Sequence, residues 1–379
     1  MSIMDDFDVE RFKQKLANGE ISRRQLGKIL AAAGIVTSVM PLASRGATAE
    51  DADGEALAYT WAGYDVPELY PSYVATHGTP PEFSIWNDEE EAILKINGGF
   101  QPDTVFPCSY KVQKWFDAGI IGPIDTSRIP DYDDIFPALA SMKETSIGGS
   151  PVWVPIDWGQ TSVLYRTDLA PEYVGNETWN ILWDPKYEGR LSTMGSLVDG
   201  AVIAAIVLGL EDPFTIQGED FEAVRAKLEE QQPLLRFYAD DPTTIEQALA
   251  SGEVVAATAW NQSYASLLRE GLPVAFMNPK EGAMTWVCGM SICTNAARPD
   301  KAHEVVAAML SPESRVWEIE NYGYGSSTQK PYTMVDPAVL AELGMTNNPT
   351  ELLDSGIMQA PMADEGALQE MYEAVKSGV

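Results

Sequence analysis

The sequence Thr285-Trp-Val-Cys-Gly-Met-Ser-Ile-Cys-Thr294 is apolar, β-branched or aromatic at most positions, and a polar segment ending at Pro299 follows it. So short an apolar run predicts a buried β-strand rather than a helix. Residues 257–263, Ala-Thr-Ala-Trp-Asn-Gln-Ser, repeat the pattern, with small residues before a tryptophan. Trp260 and Trp286 at the ends of two buried strands suggest the walls of a cleft, with the remaining chain arranged around it as two lobes.

The part of the chain after residue 55 alternates between strand and helix patterns. Residues 56–62, 81–86 and 103–106 predict strands, and helices are predicted from residue 87 and over 111–118. This β-α-β-α-β order predicts an α/β fold in which each lobe has a mainly parallel sheet flanked by helices. Ligands of such sheets bind at the carboxyl ends of the strands, where the loops meet.

The second half of the chain repeats this alternation. Residues 152–165 form a long extended pattern interrupted by Pro155, which predicts a crossing into a second lobe. One long helix is predicted over residues 299–320 and a last one over 365–376. The chain of 379 residues is too long for one core. We expect lobe 1 to contain residues 50–154 plus 288–330, and lobe 2 residues 155–287 plus 331–379.

The charge of the chain is strongly negative, with 25 Lys and Arg against 56 Asp and Glu and a net charge of −31. An acidic surface repels nucleic acid and anionic lipid and attracts cations. A nucleic-acid partner is therefore excluded. Adaptation to high salt or a need for solubility is an alternative reason for the same charge, and the two readings are compatible.

The first 49 residues have the pattern of a twin-arginine signal peptide. Arg23 and Arg24 precede an apolar segment, residues 29–40, that is too short to span a membrane, and Ala47-Thr-Ala49 supplies a cleavage site. The mature chain would begin at Glu50 with a net charge of (25 − 7) − (56 − 5) = −33. These features predict export of a folded protein to the periplasm. The alternative is an amphipathic helix that carries both arginines.

An exported protein is able to form disulfides, but this chain has only three cysteines, Cys108, Cys288 and Cys293. Cys288 and Cys293 lie on one predicted strand with their side chains on opposite faces, so a bond between them is not expected. Free buried thiols are the expectation for all three.

Several short segments match one known family in their order along the chain. They are Trp61-x-x-Tyr64, Pro107-Cys-Ser-Tyr110, residues 178–189, Trp260-Asn-Gln-Ser263, residues 279–286 and Gly323-Tyr324. With these segments the mature chain resembles the spermidine/putrescine-binding family of bacterial ABC importers. The resemblance implies a two-lobed periplasmic-binding-protein, or venus flytrap, fold. It implies a monomeric binding protein that is not an enzyme and needs no cofactor.

The resemblance also implies a ligand site in the cleft. It places there Trp61, Tyr64, Cys108, Tyr110, Asp199, Trp260, Trp286, Cys288, Tyr324 and Gln359. Aromatic faces attract ammonium groups and methylenes, and carboxylates hold the ammonium ends by charge-assisted hydrogen bonds. The implied ligand is a cationic amine, putrescine or spermidine by default, that is passed to a membrane permease.

This sequence departs from the family where polyamine-binding members have acids. Cys288, Ser196 and Gly63 stand at three such positions, and only Asp199 is kept. We take Asp157, in the crossing segment, as the candidate replacement, although it is equally able to cap a turn. Asp199 has its own alternative, because residues 196–199 form a helix capping box. Since the resemblance brings Cys108 and Cys288 into the cleft, a disulfide between them is the alternative to free thiols.

Other functions have less support in the sequence. His77 and His303 lack partners at metal-ligand spacing, so no metal site is predicted. No nucleophile–base motif supports an exported enzyme. Tyr322 and Tyr324 resemble the paired tyrosines of ferric-ion binders and keep iron as a minor alternative. Another amino compound or a quaternary ammonium is the main alternative ligand.

Overall fold

The computed structural model describes residues 54–86, 88–239, 241–345 and 356–378. The predicted signal peptide, residues 1–49, lies outside the described residues. Within those ranges, none of the helices combines the length and the apolar character that a membrane crossing requires.

The strands lie in two sheets. Eight strands follow one another across the larger sheet in the order β2-β1-β3-β11-β6-β9-β7-β8, β10 and β12 pair with β6, and β13 pairs with β11. Strands β4 and β5 form a separate hairpin. The described strands are β1 Leu57–Trp61, β2 Glu82–Trp86, β3 Thr104–Val105, β4 Ser146–Ile147, β5 Ser150–Pro151, β6 Val154–Arg166, β7 Leu191–Met194, β8 Leu235–Ala239, β9 Ala256–Trp260, β10 Val274–Phe276, β11 Met284–Ile292, β12 Gly325–Ser326 and β13 Ile357–Met358.

Helices connect and cover these strands. The described α-helices are α1 Pro71–His77, α2 Glu89–Asn97, α3 Ser109–Asp117, α4 Pro137–Ala140, α5 Ile203–Leu208, α6 Glu219–Gln231, α7 Pro242–Ser251, α8 Asn261–Arg269, α9 Pro299–Leu310, α10 Pro312–Tyr322, α11 Pro331–Met334, α12 Pro337–Glu342 and α13 Glu365–Ser377. A π-helical turn, Val198–Val202, leads directly into α5. Short 3₁₀ turns occupy Pro67–Leu69, Thr126–Arg128, Tyr132–Asp134, Lys143–Thr145, Pro171–Tyr173, Trp179–Trp183, Pro185–Tyr187 and Gln232–Leu234.

Two long strands, β6 and β11, join the two halves of the larger sheet. Every residue of β11 is buried, as the apolar run from residue 285 predicts. At one end β11 pairs with β3, and at the other it pairs with β13. Strand β6 pairs with β11 along most of its length and with β9 beyond it. The predicted crossing strands are therefore confirmed.

The parallel strand pairs lie on either side of the crossing strands β6 and β11. β1 pairs parallel with β2 and β3, and β7 pairs parallel with β8 and β9. β11 pairs antiparallel with β3 and β6, and β6 pairs antiparallel with β9. The result is the predicted two-lobed α/β fold, in which the antiparallel strands connect two parallel βαβ portions.

The hydrophobic side chains form separate cores that follow the lobes. One core, which defines the first lobe here, contains residues from Ala56 to Trp158 and from Trp286 to Leu310. The cores of the second lobe contain residues from Val163 to Met284 together with α13. We propose the predicted lobe boundaries with two changes. Residues 155–158 and 286–287 move to the first lobe, because Ile156, Trp158, Trp286 and Val287 lie in its core. Residues 331–345 pack on α10 and Phe136, so we assign them to the first lobe as well.

The single helix predicted over residues 299–320 is wrong, because the chain breaks at Ser311 into α9 and α10. Ser311 adopts an extended conformation, and its hydroxyl accepts a hydrogen bond from the Ser314 N–H at 3.4 Å. Pro312 starts α10, a position where its missing N–H has no cost. After the break, α10 packs against strand β12, which itself pairs with β6.

Candidate functional site

The pairing of β6 with β11 forms the centre of the site. Trp286 lies opposite Gly159, and Cys288 lies opposite Asp157. Opposed residues of antiparallel strands project from the same face of a sheet. Trp286, Cys288 and Asp157 therefore share one face, as the predicted cleft requires.

A chain of aromatic rings extends from Trp286 along this face. The Trp286 and Tyr324 rings meet edge to face with centroids 4.9 Å apart. Tyr322 lies 5.9 Å from Tyr324 and 6.5 Å from Tyr64. The sequence suggests Tyr322 only as a ligand of iron. In the structure, its hydroxyl donates to the Gly63 carbonyl at 2.7 Å. Three predicted rings, Trp286, Tyr324 and Tyr64, are thus joined through Tyr322.

Three other predicted rings, Trp61, Tyr110 and Trp260, are half-buried. Trp260 packs against the first-lobe core and also against one core of the second lobe. The Trp61 indole N–H donates to the Phe106 carbonyl at 3.0 Å, which fixes this ring at the end of β1. Tyr110 lies in the first turn of α3. These positions at strand ends and helix starts are the ones expected for the lining of a cleft.

Gln359 also lies beside the centre of the site. Its backbone N–H donates to the Thr285 carbonyl at 2.8 Å, so it sits next to Trp286 on the edge of β11. Its side chain is half-buried.

Asp199 lies in the π-helical turn and is buried. The Ser196 hydroxyl donates to its Oδ2 and accepts from its backbone N–H at 3.0 Å, so the serine half of the capping box is formed. The other oxygen, Oδ1, is buried without a hydrogen-bond donor among the described residues. Burial raises the pKa of Asp199 to about 7, and no cationic side chain contributes to it. The contact with Ser196 accounts for the hydrogen bond of Oδ2, whereas Oδ1 still needs a donor.

Asp157 is completely buried and is engaged from two sides. The Tyr64 hydroxyl donates to its Oδ2 at 2.6 Å. The carboxyl group of Glu318, on α10, faces it closely enough for the two groups to interact and to share a proton. Each of these groups has one oxygen that meets no N–H or hydroxyl donor of another described residue. A single proton shared between Asp157 and Glu318 satisfies both oxygens.

Arg315 supplies the positive charge of this buried group. Its guanidinium pairs with Glu318 and donates to the Met309 carbonyl at 2.7 Å and to Ser314 at 3.1 Å. Burial raises the pKa of both carboxyl groups, and the charge of Asp157 raises that of Glu318 further. With Asp157 ionised, Glu318 protonated and Arg315 charged, the group is neutral. We call these three residues the buried carboxyl pair and its arginine.

Sequence reasoning missed Glu318, Arg315 and another buried acid, Glu89. Glu89 accepts from the Cys108 N–H at 3.2 Å and from the Trp115 indole at 2.6 Å, and burial raises its pKa to about 8. The signal available for Arg315 and Glu318 was their i, i+3 spacing, which usually indicates an exposed pair. Their burial depends on the packing of α10 against β12, the strand that pairs with β6.

The expectation of free thiols is wrong for two of the three cysteines. Cys108 and Cys288, which are 180 positions apart in sequence, form a disulfide, and Cys293 is free and buried. The bond joins the start of α3 to the middle of β11, next to Asp157. The acid that the family resemblance expects at Cys288 is thus replaced by a covalent bond.

Replacing both Cys108 and Cys288 by alanine is expected to lower the free energy of unfolding by about 2–4 kcal/mol, because a long loop loses its cross-link. Denaturant unfolding measures the change. Thiol titration of the unfolded wild type without reductant should find one free thiol, Cys293, and three after reduction. Three thiols before reduction would show that the bond is absent.

Acids were also expected at Gly63 and Ser196. These two residues instead contribute a backbone conformation and hydrogen bonds to their neighbours. Gly63 has a positive φ of 94°, which favours glycine, and its carbonyl accepts from Tyr322. Ser196 is hydrogen-bonded to Asp199. Asp199 is therefore the one predicted ligand-binding acid that has a free oxygen and no neighbouring cation.

Gly159 lets the Trp286 indole lie flat against strand β6. A Cβ atom at position 159 would lie 2.4 Å from Cζ2 of Trp286. Gly159→Ala is therefore expected to displace this ring and to weaken ligand binding at least tenfold, measured by calorimetric titration. Gly366→Ala is the control, since a Cβ there meets no atom within 4 Å and should leave affinity unchanged. If Gly159→Ala binds the ligand with wild-type affinity, Trp286 is not part of the binding site.

An ion-pair cluster connects the two lobes beside Tyr110. Lys111, on α3, pairs with Glu90 at 2.8 Å and also with Glu365, on α13. Lys114 pairs with the same two acids, at 2.5 Å and 3.6 Å. Because α3 belongs to the first-lobe core and α13 to a second-lobe core, these pairs hold the lobes together.

Both histidines form structural hydrogen bonds or ion pairs. The ring of His303 bonds to the Pro299 carbonyl at 2.7 Å and accepts from the Asp125 N–H at 3.1 Å. His77 pairs with Glu304 at 2.5 Å. In the part of the chain that the structure describes, no cluster of three or more His, Cys, Asp or Glu side chains is arranged to hold a metal ion.

Comparison with known proteins adds the family. Residues 83–341 match the model of the bacterial extracellular solute-binding proteins. The spermidine/putrescine-binding periplasmic protein of Salmonella typhimurium is 24% identical over 327 residues, which cover 84% of this chain and 91% of the relative.

Solved structures with the same fold include a putative spermidine/putrescine ABC transporter from Listeria monocytogenes, with a TM-score of 0.76 and 20% identity over 86% of this chain and 99% of that one. The PBP MotA from A. tumefaciens B6 in complex with glucopine has a TM-score of 0.70 and 16% identity, over 85% and 100%. At these identities the solved structures support the fold alone. The match of the family model extends over more than half of the sequence, and this chain belongs to the bacterial extracellular solute-binding proteins.

Proposed function

We propose that this protein is the solute receptor of an ABC importer and that it captures a cationic amine between its two lobes. The closed, ligand-bound form would then deliver the amine to a membrane permease. A ligand that contacts both lobes favours the closed state by its differential affinity for that state. In this proposal the protein acts as a monomer in the periplasm after twin-arginine export.

The observation that carries the proposal is the state of Asp199. Its carboxyl group is buried, one oxygen lacks a donor among the described residues, and no cationic side chain compensates its charge. A buried carboxylate without such a partner is costly in a folded protein. An ammonium group supplies both the missing N–H donor and the missing charge.

The aromatic residues support the same class of ligand. Trp61, Tyr64, Tyr110, Trp260, Trp286 and Tyr324 would form the walls, with Cys108, Cys288 and Gln359 between them. Each well-placed ring contributes about 0.5–2 kcal/mol to the binding of a cation. Asp157 remains a proposed site residue, but its contacts with Tyr64 and Glu318 suggest that it acts by holding Tyr64 rather than by direct contact.

The alternatives are less well supported. A quaternary ammonium has no N–H to donate to Asp199. For ferric ion, the Tyr322 and Tyr324 hydroxyls already donate to Gly63 and Gln262, and burial raises both phenol pKa values, which disfavours tyrosinate ligands. An exported enzyme is less well supported because the sequence has no nucleophile–base motif.

A thermal-shift panel tests the proposal, because a ligand that binds only the folded state raises the melting temperature. The panel contains diamines, polyamines, amino acids, betaines, opines and ferric ion. We expect primary amines to stabilise the protein and betaines and iron to have no effect. Trp260→Ala should abolish the shift, whereas Trp183→Ala, a half-buried tryptophan outside the proposed site, should keep it. Stabilisation by iron or betaine alone would contradict the proposal.

Amine affinity is expected to depend on pH through Asp199. Its pKa of about 7 in the ligand-free protein means that a proton must leave before an ammonium binds at lower pH. Affinity should therefore be constant above about pH 8 and fall by roughly tenfold per unit below about pH 6. Calorimetric titration from pH 5 to 8.5 at constant ionic strength measures this, and a flat profile in the wild type would contradict it.

A further inference from the structure

If the protein has the proposed function, the geometry of the site also indicates which charged and polar groups the ligand carries. We infer that the ligand carries one ammonium group for Asp199 and an oxygen acceptor toward its other end, as an amino acid with a separated amine does, and that it is not a diamine. Two independent features of the described residues support this: the number of uncompensated acids, and a buried donor that has no acceptor.

The first feature is the charge. The negative charge of Asp157 is already balanced by Arg315 and its hydrogen bonds by Tyr64 and Glu318. Glu365 is paired with Lys111 and Lys114. Glu89 is also buried, but both of its oxygens accept hydrogen bonds, from Cys108 and Trp115. Among the described residues, Asp199 is the buried acid that has both an oxygen without a donor and no compensating cation.

A diamine would therefore have one ammonium at Asp199 and a second without a carboxylate partner. Burial of an unpaired ammonium is unfavourable, and aromatic faces offset only part of that cost. The sequence offers no further acid at the positions where polyamine binders are expected to have them. Gly63 and Ser196 are engaged locally, and Cys288 is closed in the disulfide.

The second feature is a donor. The Trp286 indole Nε1 is buried and has no acceptor among the described residues, although the ring is held between Gly159 and Tyr324. A buried N–H without an acceptor is unfavourable, and a ligand oxygen would remove this cost. A protonated amine has no lone pair to offer, so a polyamine would leave Trp286 unsatisfied.

A second donor is available nearby. Gln262 uses its Oε1 to accept from the Tyr324 hydroxyl at 3.3 Å, so its amide nitrogen remains a donor. That nitrogen lies 3.9 Å from the Cβ position of Gly63, beside the proposed rings. Trp286 and Gln262 thus offer neutral N–H donors, which suit a carbonyl, hydroxyl or carboxylate oxygen.

The test compares three ligands of similar length by calorimetric titration. Putrescine has two ammonium groups, 4-aminobutanoate has a carboxylate in place of one aminomethyl group (CH2NH3+), and butylamine has a hydrogen in place of one ammonium group. We expect 4-aminobutanoate to bind at least tenfold more tightly than the other two. Tighter binding of putrescine would overturn the inference and leave the proposed function intact. If none of the three binds and no other amine in the panel does, the proposed function itself fails.

The variant Trp286→Phe keeps a ring and removes the indole N–H. It should weaken 4-aminobutanoate at least fivefold and change butylamine less than twofold. An equal loss for both ligands would show that the ring, and not its N–H, contributes to binding, and would overturn the acceptor assignment. Melting curves of the variant without ligand establish that it is folded.

Discussion

Asp199→Asn is expected to weaken amine binding at least tenfold and at the same time to raise the melting temperature of the ligand-free protein at pH 8. The asparagine keeps a hydrogen-bonding group beside Ser196 but removes the buried charge. Binding energy from the charge-assisted hydrogen bond is lost. Stability rises because the folded protein no longer has to hold an ionised carboxyl group away from water.

The pH dependence follows from the direction of the pKa shift. The pKa of Asp199 is raised from 3.8 in the unfolded chain to about 7 in the folded protein, mainly by burial. Its contribution to stability is fully present below about pH 4 and is lost as the pH rises through 7. The stability advantage of Asp199→Asn should therefore be largest at pH 8 and disappear near pH 4. Thermal melts over this range and calorimetric titration at pH 8 measure both effects.

The sign of the stability change separates ligand binding from helix capping. If Asp199 only capped the helix, the asparagine variant would be neutral or slightly less stable, and its affinity for amines would not change. Asp241→Asn is the matched control, because Asp241 caps α7 through the Thr244 N–H at 3.0 Å and lies at the surface. It should change neither affinity nor stability by much, since asparagine caps about as well as aspartate.

Arg315→Met is expected to lower the free energy of unfolding at pH 8 by about 3–5 kcal/mol, the usual cost of removing one partner from a buried ion pair. Without the guanidinium, Asp157 and Glu318 share a buried site with no positive charge. Both would then bind protons more readily, because Arg315 lowers the pKa of each. The loss should consequently be smaller at pH 5 than at pH 8. Denaturant unfolding at the two pH values measures the difference.

Two variants test this result. Arg225→Met removes an exposed i, i+4 pair with Glu229 and should cost less than about 1 kcal/mol. Glu318→Gln replaces the protonated carboxyl group by a neutral amide that still donates to Asp157, so it should be tolerated at pH 8. A loss in Arg315→Met no larger than that in Arg225→Met would mean that the buried carboxyl pair does not need its arginine.

Several parts of the fold and site are predictable from the sequence alone, because they depend on local sequence patterns. Strand β11 is buried on both faces, so its apolar run is continuous and unmistakable. The capping pattern at Ser196 and Asp199, which was the alternative reading of Asp199, spans only four residues, and its serine half is formed. The break between α9 and α10 was missed, although Ser311 followed by Pro312 is a local signal for a new helix.

The sequence by itself determined the crossing strands, the α/β alternation, the acidic character and the identities of the aromatic residues, because each depends on local periodicity or on composition. Tertiary structure alone decided three features: the bond of Cys108 with Cys288 across 180 residues, the contact of Glu318 with Asp157, and the absence of a partner for Asp199 Oδ1 among the described residues. Each depends on which distant side chains meet after the elements pack. Whether a charged side chain is compensated by the protein or left for a ligand is a property of its buried neighbours, which no local pattern specifies.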